Sequence, residues 1–100
     1  MQAIFRWNGQ FFGFIADGYL FDSTANFRGW VENDGTVWRS DGTFLGDLVG
    51  GEYVLLQQSA DRARRPPRAR PTKPATLARP DDRKGRGPRP GYVDGLDELP

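Results

Sequence analysis

The sequence predicts an all-β fold: a small closed or nearly closed barrel of β-hairpin repeats with pseudo-four-fold symmetry, followed by an irregular Pro/Arg-rich segment. Three observations carry this expectation. Residues 4–57 repeat with a period of 16–17 residues, too short for a helical solenoid and suited to a hairpin plus its connection. Each repeat is punctuated by Asn-Gly, Asp-Gly or Gly-Gly, the dipeptides of tight hairpins. Twelve of the 13 aromatics precede residue 54 and all 8 prolines follow residue 65, so one part of the chain can build a core and the other cannot.

Three segments superpose without gaps, Ile4–Ile15, Leu20–Val31 and Val37–Leu48, and a fourth begins at Val54-Leu55 and breaks off. Their pattern is aliphatic, aromatic, charged, two variable positions, Gly or Ala, any, Phe, any, Gly, any, aliphatic. Asn8-Gly9, Asp17-Gly18, Asp34-Gly35, Asp41-Gly42 and Gly50-Gly51 supply turns whose two central residues accept positive φ. Between them lie short runs rich in aromatic and branched residues, giving seven strands near 3–7, 11–16, 19–22, 27–32, 36–39, 43–48 and 52–57. No apolar period of 3.6 persists long enough for a helix.

Alternation sorts the second strand of each repeat by face. Phe11/Gly13/Ile15, Phe27/Gly29/Val31 and Phe44/Gly46/Leu48 form the expected core face. The recurrent Gly leaves a gap for a neighbouring side chain, with Phe5, Phe21, Trp38 and Leu55 as a ring of candidates. Phe12, Phe14 and Trp30 fall on the opposite face. They form either an exposed aromatic contact surface or a surface covered by the basic segment, with Pro and Arg stacked on the rings.

The net charge of +1 conceals a division: residues 1–58 carry −4, residues 59–90 carry +8 and residues 91–100 carry −3. The middle segment has Leu77 as its single large apolar side chain, so by itself it cannot offset its ordering entropy. It is read as a basic Pro-rich insertion or strap within the fourth hairpin, whose second strand Tyr92 and Val93 complete. Closure cost grows only logarithmically with loop length, which makes such an excursion tolerable.

The runs Asn8–Ile15, Gly18–Asp22, Gly29–Glu32 and Asp34–Gly46 resemble the bacterial four-fold β-flower domain family over roughly residues 3–57, and the Pro/Arg-rich C-terminal region adds to the similarity. The resemblance implies a shallow square barrel of four hairpin petals with no established activity or catalytic residues. It is loosely similar to tubby-type barrels, some of which bind phosphoinositide lipids, and fold alone does not fix function. Ala25 departs from the pattern by replacing Gly.

Catalysis is argued against by composition. The chain has no His and no Cys, which removes the usual general base, thiolate metal sites, disulfides and both common triads. No glycine-rich phosphate loop is present, and no catalytic, cofactor-binding or metal residues are assigned. Asp17, Asp34 and Asp41 each precede Gly at a turn, without the alternating oxygen ligands of a calcium loop. Asp22, Glu32, Asp47 and Glu52 are spread over different repeats. Arg6, Asp22 and Arg39 share one repeat position, either as a charged ring at a barrel mouth or as solvated strand positions.

Arg62, Arg64, Arg65, Arg68, Arg70 and Lys73 are the candidate polyanion contacts, and Pro71-Thr72-Lys73-Pro74 matches PxxP. The expected function is a non-catalytic binding module that contacts a protein partner or anionic lipid headgroups through this segment. The alternative is a structural or self-associating domain whose strap only completes its own fold. Nucleic acid is a weaker reading, because the segment has no aromatics for base stacking. The N-terminus lacks a secretory signal and no apolar run spans a bilayer, so the expected location is the cytoplasm, with peripheral contact at the membrane left open.

Overall fold

Eight strands follow one another in the computed structural model, which describes residues 1–57, 63–71, 80–85, 87 and 89–98. They are β1 (Gln2–Phe5), β2 (Phe11–Ala16), β3 (Tyr19–Asp22), β4 (Phe27–Val31), β5 (Thr36–Arg39), β6 (Phe44–Val49), β7 (Tyr53–Gln57) and β8 (Tyr92–Asp94), with a 3-10 turn at Gly95–Glu98. Neighbours in the chain are neighbours in one antiparallel sheet, ordered β1 to β8. Strand β8 pairs with β7 through Leu55↔Asp94, Leu56↔Val93 and Gln57↔Tyr92. The long basic segment therefore leaves and re-enters the sheet between these two strands.

The sheet is a curled half-barrel rather than a barrel closed by strand pairing. Individual hydrogen bonds bridge its ends in place of a ladder. The Phe5 N–H donates to the Glu52 carbonyl at 2.8 Å, the Trp7 N–H to the Asp94 carboxylate at 2.8 Å, and the Arg6 guanidinium to the Leu96 carbonyl at 3.0 Å.

The turns divide into two kinds. Arg6, Asp22, Glu32 and Arg39 each donate their N–H to the carbonyl four residues on and accept from the N–H three residues on. This three-residue loop ends in a left-handed residue, here Gly9, Ala25, Gly35 and Gly42 at φ 95°, 64°, 85° and 93°. Only Asp17-Gly18 and Gly50-Gly51 are positive at both positions, so the expectation of doubly positive turns is corrected at Asn8-Gly9, Asp34-Gly35 and Asp41-Gly42. At Asn8-Gly9 and Asp41-Gly42 the turn is accompanied by a register shift, between Ile4/Phe5 and Val37/Trp38, and the Ala25 turn has the same shift between Leu20/Phe21; the Asp34-Gly35 turn forms its three-residue loop without one. Each bulge adds one residue to the second strand.

The same bulges change the expected facing at the start of each second strand and leave it unchanged beyond the shift. Phe12 and Leu45, skipped in the register, turn into the central cluster with Ile4, Leu20, Val37, Val54 and Leu96, while Ile15, Val31 and Leu48 pack against it. Phe11 passes to the other face, beside Phe5 and Tyr53. Ile4, Leu20, Val37 and Val54, all at most 1% exposed, are thus the residues that the repeats contribute to the centre. The expected ring of Phe5, Phe21, Trp38 and Leu55 is corrected accordingly: Phe5 and Phe21 lie in two separate outer clusters.

The recurrent Gly has a different cause from the one expected. A Cβ on Gly13, Gly29 or Gly46 would collide with the backbone carbonyl of Phe21, Trp38 or Leu55, one repeat further on. The gap is filled by the main chain of the next hairpin rather than by an aromatic ring, and this close approach lets consecutive hairpins nest.

Candidate functional site

The outer face carries the aromatic side chains, and its apolar clusters are covered. Phe12, Phe14 and Trp30 are buried, at 6%, 0% and 1% exposure, so of the two alternatives the exposed aromatic surface is corrected, while cover by an arginine of the basic segment holds at Trp30. Phe12 lies in the central cluster because of the bulge, under the Arg6 guanidinium at 5.2 Å. Phe14 stacks on Phe21 at 5.5 Å, beside Ala25. Trp30 stacks on Trp38, with ring centroids 6.5 Å apart and planes 16° from parallel. The indole N–H of Trp38 donates to the buried Thr36 hydroxyl at 2.9 Å, which in turn donates to Asp34 at 2.6 Å.

Two arginines of the basic segment are seated on this face in the same way. The Arg65 N–H donates to the Gly42 carbonyl at 2.8 Å. Its guanidinium lies 4.6 Å above the Trp38 ring and bonds the Glu32 carboxylate at 3.0 Å. The Arg83 N–H donates to the Gly9 carbonyl at 2.6 Å, and its guanidinium lies 4.1 Å above Phe5 and pairs with Glu52. Gly9 and Gly42 occupy one repeat position, as do Phe5 and Trp38. A Cβ at either glycine would overlap the carbonyl oxygen of the seated arginine. Asp82 strengthens the first seat by accepting the Phe11 N–H at 2.9 Å, and Trp7 donates its indole N–H to the Gly87 carbonyl at 2.8 Å.

The second repeat keeps an aromatic, Phe21, at the ring position but differs at the glycine and at the charged position. Ala25 brings the methyl for which Gly9 and Gly42 have no room, and that methyl is buried against Phe14 and Phe21. The charged repeat position holds Asp22, which accepts from the N–H groups of Thr24 and Asn26, both at 3.0 Å, and pairs with Arg28 at 3.1 Å. Arg6, Asp22 and Arg39 form no common ring: Arg6 reaches Leu96 and Asp22 reaches Arg28.

Those of the expected polyanion contacts that lie among the described residues separate into three groups. Arg65 and Arg68 lie on aromatic rings, Arg68 at 4.4 Å over Trp30 with its N–H on the Ser40 carbonyl at 3.2 Å. Arg64 donates to the Asp41 carbonyl at 3.2 Å and lies 3.6 Å from its carboxylate. Arg70 is exposed. Arg62 and Lys73 lie outside the described residues, as does most of Pro71–Pro74. Beside Arg68, an open hollow of 490 Å³ is lined by Val31, Glu32, Asn33 and Asp34. Sequence reading missed Arg83, Glu32, Glu52, Gly9 and Gly42 as partners in one arrangement. The available signal was the repeat itself, which puts a glycine and an aromatic at matching offsets in the first and third copies.

Burial alone would raise the Asp22 carboxyl, but the hydrogen bonds from Asn26 and Thr24 outweigh it and hold the pKa below the ordinary carboxylate value. The Thr43 N–H, with smaller help from Arg39 and Arg64, does the same for Asp41. Depressed folded pKa values give stability that is full above the unfolded value of about 3.9 and is lost as pH falls below it. The urea midpoint is accordingly expected to be flat above about pH 5 and to drop below about pH 4. Asp22→Asn lowers the plateau and makes the drop shallower; parallel curves for the two proteins would show that Asp22 contributes nothing to it.

No protein-family model, curated protein or solved structure matches this chain. Among the described residues, no helix is long and apolar enough to cross a membrane.

Proposed function

We propose that the chain is a non-catalytic interaction module whose basic segment serves first as an intramolecular strap. The observation that carries this reading is the double seating of Arg65 and Arg83: the same backbone bond and ring contact occur at equivalent points of two repeats, each completed by a carboxylate on the guanidinium. Opposite charge sets the direction, since the repeats carry −4 and the inserted segment +8. A stacked guanidinium on an indole also covers apolar surface that would otherwise face water. The recurring bulges and nested glycines are what support a β-flower-like arrangement of four hairpins as the finer architecture.

A second reading, contact with anionic lipid headgroups, is supported by Arg70 and Lys84, both exposed. The two readings separate experimentally. Arg65→Ala is expected to lower Tm by about 5 °C, and Arg65→Ala/Arg83→Ala to lower it further and open the segment 63–85 to limited proteolysis. Unchanged cleavage and unchanged Tm would remove the strap reading. In the same set, retention on vesicles containing anionic lipid at low salt, reduced by Arg70→Ala/Lys84→Ala, supports the second reading, and absence of retention removes it.

A further inference from the structure

We infer that the hollow beside Arg68 is a binding site for a zwitterionic amino acid, whose carboxylate lies on the Arg68 guanidinium and whose ammonium faces Glu32 and Asp34. Arg68 belongs to the seated segment, so this site rests on the strap reading above. Arg65, Arg83 and Arg68 are held alike, each by a backbone N–H on a carbonyl and a guanidinium on a ring. Arg65 and Arg83 complete the arrangement with a carboxylate, Glu32 or Glu52. Among the described residues, Arg68 makes no such pair.

Carboxylates are nonetheless close by. Glu32 and Asp34 line the same 490 Å³ hollow as Arg68, yet both are engaged by other donors. Glu32 accepts from Arg65 at 3.0 Å and from the Trp30 indole N–H at 3.3 Å. Asp34 accepts from the Thr36 hydroxyl at 2.6 Å and the Thr36 N–H at 3.0 Å. One hollow thus carries a cation and two carboxylates that do not pair across it. A ligand with a single charge meets one side favourably and is opposed by the other, whereas a molecule with both charges satisfies both sides.

The chemistry of the anionic end follows from the two completed seats, where the partner of the guanidinium is a carboxylate. With the Trp30 ring 4.4 Å from the guanidinium and covering one face, recognition falls to the N–H donors in the guanidinium plane, and a carboxylate accepts two of them in parallel. A phosphate dianion brings more negative charge towards Glu32 and Asp34 and is disfavoured for that reason. Val31 adds an apolar patch to the lining, and the volume falls within the range of about 300–1,000 Å³ common to small-molecule sites. An aliphatic side chain is therefore accommodated beside the two charges.

The test follows the indole N–H resonance of Trp30 in the full chain, because Trp30 lies under Arg68 and donates to Glu32. The Trp7 indole, bonded to Gly87, is the internal reference. L-leucine is expected to give a saturable displacement of the Trp30 resonance and none at Trp7. Isocaproate, which lacks the ammonium, and isopentylamine, which lacks the carboxylate, should each bind at least about threefold more weakly. Arg68→Lys keeps the charge without the planar fork and should weaken leucine by at least about threefold. Asp34→Asn keeps an oxygen to accept from Thr36 and should weaken leucine but not isocaproate. The three ligands are compared on the unaltered chain, so the comparison decides even where a variant does not fold. No saturable displacement, or equal binding of leucine and either single-charge relative, overturns the inference. Failure of the strap reading is distinguished without any ligand: Arg68→Ala would then leave the Trp30 resonance in place.

Discussion

Gly29→Ala is expected to abolish or nearly abolish the native fold. An ideal Cβ at this position falls on the Trp38 carbonyl and comes within 3.0 Å of the Trp38 carbonyl carbon and 3.2 Å of Arg39 Cα. All of these are backbone atoms of β5, paired with β4 through Gly29↔Arg39, so relief requires separating two strands. Alanine also reduces unfolded-state entropy, which acts in the opposite direction by about 0.4–1 kcal/mol. Overpacking against immovable backbone exceeds that, and a net loss of about 3 kcal/mol or more is expected. For a domain of this size it lowers Tm by at least about 12 °C. Gly35→Ala is the control. It has open space around its Cβ but φ at 85°, so it carries only the left-handed penalty of about 1–2 kcal/mol. Thermal melts followed by circular dichroism compare the two. Equal melting temperatures would mean that the hairpins do not nest through Gly29.

Leu96→Ala is expected to cost about 2–5 kcal/mol, the range for emptying a leucine-sized site in a packed core. Leu96 is fully buried in the central cluster with Ile4, Phe12, Leu20 and Val54, although 38 residues separate it from the end of β7 in the chain. Its backbone is fixed as well, through Asp94 at 3.0 Å and the Arg6 guanidinium at 3.0 Å. Val93 lies three residues earlier, on β8, and is 40% exposed; Val93→Ala is expected to change stability by less than about 0.5 kcal/mol. If Leu96→Ala melts with the wild-type protein, the C-terminal element is an appendage and the sheet ends at β7.

These two substitutions concern what makes the outer face usable. Nested hairpins hold Phe5 and Trp38 at fixed offsets from Gly9 and Gly42. The C-terminal element anchors the far end of the basic segment, so Arg65 and Arg83 are drawn from a tether fixed at both ends. Anchoring reduces the volume the tether explores and raises the effective concentration of each arginine at its seat.

The strands were legible because turn dipeptides and short aromatic runs are local signals, and the seven expected from sequence lie within two residues of the observed ones. The return of Tyr92–Asp94 to the sheet was legible from the change of composition at Gly91. Side-chain facing was not. One bulge residue in each hairpin, Phe12, Arg28 or Leu45, shifts alternation by one, and both faces of the sheet are apolar, so polarity gave no indication of the shift. Trp30 and Phe14 were assigned to the correct face, with exposure and cover by the basic segment left as alternatives. What covers Trp30 is an arginine from residue 68, a contact between parts of the chain that share no local pattern.

By itself the sequence determined an all-β chain of hairpin repeats interrupted by a basic segment, because turn chemistry, strand composition and charge are properties of neighbouring residues. Only the tertiary structure decided that the sheet curls into a half-barrel, that glycine is required by the next hairpin's carbonyl, and that Arg65 and Arg83 are seated on Trp38 and Phe5. Each of these depends on the distance between segments far apart in the chain. Such distances are set by the summed twist and bulging of the strands between them, a quantity that no single stretch of residues encodes.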